Sequence, residues 1–136
     1  MITTLNDAFA ESYDLSQNIF IDESMVHFKR RSTMKKYLPM KPTKRGIKIW
    51  CASCSCCGYL LKFQIYTSKE TQGERGLAHR VVTDLVIPRF RNNNYVVYMD
   101  NFFTSIPLFK ELSENNILAC GTYQTNHIGL PADLAN

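Results

Sequence analysis

The sequence predicts an α/β fold in which a mixed sheet carries flanking helices. Three observations predict it. Three strand-like segments fall within the first 67 residues and follow one another as in a meander. Two further strand-like segments then alternate with helix-periodic ones, which suits strands joined by helical crossovers. One of these two, YVVYM at 95–99, is apolar or aromatic throughout, as a central parallel strand is, and runs straight into an acid.

The elements follow in order. Residues 5–13, LNDAFAESY, read as a short helix. Residues 17–22, QNIFID, read as a strand that ends in Asp22. Residues 24–45 show no clean period and hold Pro39 and Pro42, so they read as a long basic loop. Residues 46–52, GIKIWCA, alternate Ile47, Ile49 and Cys51 against Lys48 and Trp50, a strand pattern. Residues 59–67, YLLKFQIYT, set Leu61, Phe63 and Ile65 on one face, and the short Ser/Cys/Gly link between the two strands predicts a hairpin. A polar loop at 70–76 precedes LAHRVVTDLVIP at 77–88. That segment places Leu77, Val81, Val82 and Leu85 on one helical face, with a stop near Pro88. Asn92 to Asn94 form a turn before the strand at 95–99. Ser105 is suited to cap a helix that buries Leu108 and Leu112, and Asn115 and Asn116 to end it in a left-handed conformation. Residues 117–123 make the last strand.

A chain of 136 residues suits one domain with a modest core. It contains no internal repeat and no low-complexity linker. No run approaches the roughly 18 apolar residues of a membrane helix, and the N-terminus lacks the layout of a signal peptide. Cytosol or nucleus is therefore the expected compartment, and the five cysteines are expected as thiols. Net charge is +4, but it is unevenly spread. Residues 1–23 carry five acids and no Lys or Arg, whereas residues 24–69 carry eleven Lys or Arg and no acid. A plain solvated face mixes its signs. A tract this one-sided points to a phosphate-rich partner, with nucleic acid foremost.

A lone acid at a strand end is ordinarily a turn or capping residue. Here two strands, ending in Asp22 and Asp100, do the same thing. If the strands are neighbours, the carboxylates converge and repel unless a cation lies between them. Mg²⁺ is the usual solution, held by one or two carboxylates, waters and substrate phosphates. Such ions activate water and stabilise the leaving oxygen in phosphodiester cleavage. The basic tract that starts just after Asp22 is placed to hold a phosphate backbone.

Five blocks carry a resemblance. IDESMVHFKRR (21–31), YLPMKPTKRGIKIW (37–50), GYLLKFQIYTSK (58–69), VVYMDNFFTS (96–105) and GTYQTNHIGLP (121–131) resemble, in order and spacing, the transposase domain of piggyBac elements and their domesticated derivatives. The resemblance covers nearly the whole chain. It implies an RNase H-like α/β fold of the DDE/D superfamily, incomplete at the C-terminus, with residues 1–136 forming the N-terminal part of the catalytic domain. It also implies that the first and fourth strands are adjacent. Asp22 matches the first catalytic, metal-binding acid and Asp100 the second. No position matches the third; Asp133 lacks its context. The parent activity so implied is metal-dependent DNA strand cleavage and transfer at transposon ends, in the nucleus. Mg²⁺ would be the cofactor, with Mn²⁺ as a substitute, and a homodimer the assembly of the full-length parent. Lys29, Arg31, Lys35, Lys36, Lys41 and Lys44 are the candidate DNA contacts.

The blocks also depart from the family pattern. Arg30 and Ser68 stand where the family usually has Gly, a swap expected to disturb a turn of positive φ. Gln124 and His127 stand where it has arginines, so phosphate contacts are expected to be lost. These departures favour a derived or decaying copy, and a domesticated or degenerate DNA-binding derivative without catalysis is the alternative function.

Other features have rival readings. Cys51, Cys54, Cys56 and Cys57 in CASCSCCG include a C-x-x-C spacing that suits zinc, and a small zinc interaction module is a further alternative. A second Cys knuckle is missing, however. His27 and His127 read as surface residues, and His79 as a solvated one. Cys120 lacks a positioned base for nucleophilic work. Of Phe102 and Phe103, one is expected in the core.

Overall fold

The computed structural model describes residues 1–13, 16–67 and 76–123. Ser68, Gln124, His127 and Asp133 lie outside the described residues. The element order is α1 (Ile2–Glu11), β1 (Asn18–His27), β2 (Lys35–Tyr37), β3 (Arg45–Cys54), β4 (Leu60–Ile65), α2 (Leu77–Phe90), β5 (Val96–Met99), α3 (Ile106–Glu114) and β6 (Leu118–Gly121). One mixed six-stranded sheet runs β2-β3-β1-β5-β6, with β4 pairing β3 on the same side as β2. β1 is antiparallel to β3, whereas β5 is parallel to both β1 and β6. This is the expected order of antiparallel strands followed by strands alternating with helices, and β5 lies between two parallel neighbours as its apolar run predicts.

The alternation of β1 sorts its residues cleanly. Ile19 and Ile21 are buried, while Asp22 is exposed. Directly opposed residues share a face, so Ile19, Ile21, Cys54, Ala52, Trp50, Val97 and Met99 form one floor. α2 and α3 cover it with Val81, Val82, Leu85, Val86, Phe90, Leu108 and Leu112. Leu61 joins this core because a bulge between Ala52 and Ser53 shifts the β3–β4 register. On the opposite face the rows Phe20–Tyr98–Cys120 and Asn18–Val96–Leu118 run across β1, β5 and β6, and Tyr98, Leu118 and Cys120 are exposed.

Three expectations are corrected. The basic segment 24–45 is not one long loop, because β1 continues to His27 and β2 forms within the segment. Backbone pairing with β3 supplies what the side-chain pattern lacks. α2 does not stop at Pro88. A proline there removes one helical donor, and the carbonyl so freed, that of Asp84, accepts from Lys62 Nζ at 2.7 Å. The buried Phe90 then holds the last turn on the core. The first helix begins at Ile2 rather than residue 5 and buries none of its residues fully. It caps the free edge of β4 instead: the Asn6 side chain donates to the Phe63 carbonyl and accepts from its N–H, both at 3.0 Å. That arrangement closes part of a strand edge that would otherwise recruit another chain.

Other local signals hold. Ser105 caps α3, its hydroxyl accepting from the Leu108 N–H. Asn92 and Asn94 turn with positive φ, and Asn116, at φ 56°, ends α3 in the left-handed region. Asn115 does not.

Candidate metal centre and nucleic-acid interface

β1 and β5 deliver the two acids. Their parallel register ends at the pair Ile21–Met99. The next residues are Asp22, midway along β1, and Asp100, just past the carboxyl end of β5, side by side on neighbouring strands spaced about 4.8 Å apart. Both are exposed. Each has one oxygen committed to a backbone donor. Asp22 Oδ1 accepts from the Glu23 N–H at 2.7 Å, and Asp100 Oδ1 from the Phe102 N–H at 3.0 Å. Among the described residues no Lys or Arg pairs with either carboxylate.

The turn after β5 fixes Asp100. Its carbonyl accepts from the N–H groups of Phe103 and Thr104, both at 3.2 Å, and from the Thr104 hydroxyl at 2.8 Å. Thr104 is buried, and so is Phe103, which anchors the turn in the core. On the other strand pair, Asp22 faces Cys51. Burial first, and then the Asp22 charge, push the Cys51 thiol up to about 11.

The donor set fits a hard divalent cation. It offers exposed carboxylate oxygens on two strands, each carboxyl oriented by a backbone bond, with no Lys or Arg among the described residues competing. Asp22 and Asp100 would hold such an ion.

Glu23 and Trp50 were not among the candidate residues, and both shape the surroundings. They are opposed in register on the helix-covered face. Glu23 pairs with Lys48 at 2.5 Å and with Lys41 at 3.4 Å. Burial raises its carboxyl, but the Lys48 and Lys41 ammonium groups outweigh that and hold it below the usual glutamate value. The Lys48 Nζ also sits 4.0 Å from the Trp50 ring centroid. Phe102, half exposed, stacks on Trp50 at 5.6 Å and 12°. The expectation that one of the two phenylalanines is core thus holds for Phe103. The aromatic pair two and three residues after Asp100 is the signal that points to this stack.

The candidate DNA contacts divide. Lys29, Arg31 and Lys44 are exposed. Lys35 and Lys36 are half-buried on β2, with Lys36 Nζ 5.3 Å from the Tyr66 ring centroid. Lys41 is tied to the Glu23 side chain and carbonyl. Arg30 does not occupy a positive-φ position, so no strain follows from the loss of a glycine there. His27 is exposed, as expected. His79 is not solvated; its Nε2 meets Glu111 Oε2 at 2.6 Å between α2 and α3. Cys120 is exposed on β6.

Comparison with known proteins follows from this geometry. A family model described as Transposase IS4 matches residues 1–136. The chain belongs to this transposase family. Its similarities are of the piggyBac type. PiggyBac transposable element-derived protein 3 of Homo sapiens is 30% identical over 133 residues, which cover 94% of this chain and 22% of that one. PiggyBac transposable element-derived protein 5 of Homo sapiens is 23% identical over 148 residues, covering 98% of this chain and 28% of that one. A cryo-EM structure of the piggyBac transposase synaptic complex with hairpin DNA superposes with a TM-score of 0.85, at 30% identity, over 98% of this chain and 28% of that chain. This piggyBac-type chain therefore spans less than a third of the length of these relatives. Among its described residues no helix is long and apolar enough to cross a membrane.

Proposed function

We propose that this chain carries two of the three acids of a piggyBac-type strand-transfer centre, and that it binds DNA beside them. The observation that carries the reading is the β1–β5 register, which sets Asp22 next to Asp100 where β5 ends beside the middle of β1. A divalent cation held there, Mg²⁺ or in its place Mn²⁺, supplies charge neutralisation and an activated water at a phosphodiester. The chain's own part is to orient the two carboxylates through the Glu23 and Phe102 N–H groups. Lys29, Arg31 and Lys44 present free positive charge to a backbone, with Lys35 and Lys36 flanking them. In this reading residues 1–136 are one part of a catalytic domain that works in the nucleus, dimeric in the full-length protein, and the third acid is supplied outside the matched blocks.

Two measurements test it. DNA affinity should fall steeply with salt, and Lys29→Ala with Arg31→Ala should lower the slope by about one unit per lost phosphate contact. A flat salt response refutes the DNA reading. Asp100→Asn should weaken Mg²⁺ or Mn²⁺ binding. Unchanged metal affinity refutes the shared centre and leaves the second reading, a DNA-binding derivative without catalysis.

A further inference from the structure

The cysteines of the β3–β4 hairpin form an arrangement that the acid pair does not use. β3 ends at Cys54, which is buried, and the turn that follows presents Cys56 and Cys57 at the surface. Hydrogen bonds from the Cys54 N–H to the Tyr59 carbonyl at 2.9 Å, and from the Gly58 N–H to the Cys54 carbonyl at 2.8 Å, close the turn. Gly58, at φ 74°, permits it. The chain therefore folds back on itself, and the Sγ atoms of Cys54, Cys56 and Cys57 all lie within 4.8 Å of one another. Cys54 and Cys56 are 3.1 Å apart.

Two hydroxyls from outside the hairpin converge on the same sulfurs. Tyr13 Oη stands 2.9 Å from Cys57 Sγ, 3.8 Å from Cys54 Sγ and 3.9 Å from Cys56 Sγ. Ser16 Oγ is 3.0 Å from Cys54 Sγ. Tyr13 is held there by stacking on Tyr59 at 4.6 Å and 15°. Cys51, the partner that the C-x-x-C spacing suggests, is not part of the group. It is buried farther along β3, opposite Asp22.

We propose that Cys54, Cys56 and Cys57 are a binding site for a thiophilic divalent cation of the Zn²⁺ class, separate from the acid pair. Tetrahedral coordination with bonds near 2.3 Å separates sulfurs by about 3.8 Å. Cys54 and Cys56 reach that spacing by opening about 0.7 Å, and Cys57 Sγ lies within 4.8 Å of both. Thiolates select a soft ion where the carboxylate pair selects a hard one, so the two sites discriminate by ligand chemistry. Tyr13 and Ser16 donate to the ligating sulfurs and orient them. Water takes the fourth position. The exposed turn gives the ion a route in. No second Cys knuckle is needed, because one tight turn supplies three ligands.

The test uses the reduced chain titrated with Cd²⁺, and separately with Zn²⁺, without added DNA or Mg²⁺. Thiolate-to-Cd²⁺ charge-transfer absorption should grow to one equivalent, and the bound ion should shield three of the five thiols from a thiol reagent. Cys57→Ser and Cys56→Ser, both at exposed positions, should abolish the signal while far-ultraviolet circular dichroism stays unchanged. Tyr13→Phe should weaken affinity by about tenfold. Cys120→Ser and Asp100→Asn should leave it intact. The proposal is overturned if no charge-transfer band forms, if Cys57→Ser binds like the parent, or if Asp100→Asn removes the metal. Spontaneous loss of two thiols to a disulfide with no metal uptake overturns it too.

Discussion

Gly121 stands where the sheet meets the turn that aims Asp100. It pairs with Met99 in the parallel ladder. A Cβ added there would lie 2.2 Å from Thr104 Oγ1, and 3.2 Å from both Met99 Cγ and the Met99 carbonyl oxygen. Thr104 is 2% exposed, so its hydroxyl has no open space to enter. It must retreat by about 1.3 Å to reach ordinary contact near 3.5 Å, and that breaks its 2.8 Å bond to the Asp100 carbonyl. Overpacking costs about 1–3 kcal/mol and the lost buried hydrogen bond about 1 kcal/mol, so Gly121→Ala should destabilise by about 2–4 kcal/mol. At about 2.1 cal/mol/K per residue, a chain of 136 residues loses about 7–14 °C in Tm for that change. Thermal unfolding by circular dichroism measures it. Thr104→Ala removes the clashing atom, so in that background the cost of Gly121→Ala should drop by at least about 1 kcal/mol. A Tm within about 2 °C of the parent, or additivity of the two changes within about 0.5 kcal/mol, refutes the claim that Thr104 wedges the turn against Gly121.

Two further changes test neighbouring parts of the structure. Glu23 titrates below its ordinary value in the folded chain, so its ion pairs contribute stability above the unfolded value and lose it as pH falls through the folded one. Glu23→Gln should therefore be less stable than the parent near neutral pH in low salt, and the gap should close below the ordinary glutamate range; parallel stability–pH curves would contradict this. Ser105→Ala removes the α3 cap and should cost about 1 kcal/mol in denaturant titrations, whereas Ser105→Asp should keep most of it.

The fold was legible where local chemistry and the tertiary frame agree. The apolar run at β5, the Ser105 cap and the asparagine turns each have a mechanism that works within a few residues. The failures share a cause. β2 and the extension of β1 carry no apolar alternation, since Lys35, Lys36 and the residues up to His27 are held by backbone pairing to β3, which only the folded sheet supplies. Pro88 stopped the helix on paper because its missing donor was counted and Lys62, twenty-six positions earlier, was not.

The same division runs through the candidate site. An acid that follows an apolar strand run is visible in one line of sequence, and two of them invite a metal, although only Asp100 stands at a strand end and Asp22 lies within β1. Whether they meet depends on register, and the pair Ile21–Met99 decides it. The basic tract reads as one surface because 46 consecutive residues lack an acid. Glu23 stands immediately before that tract, and an antiparallel partner returns Lys48 to it. Lys41 joins the same carboxylate from the loop. Two of the tract's cations are thereby tied to one carboxylate, which offsets one of their two charges, and Lys48 is drawn over Trp50 rather than into solvent. Alternation on β3 separates Trp50 from Cys51 without saying which face is covered. α2 and α3 cover the Trp50 face, and that choice leaves Asp22 on the side where a cation and a phosphate backbone can approach. The local sequence therefore supplies the chemistry of the site, and the sheet pairing decides which charges remain available to a partner.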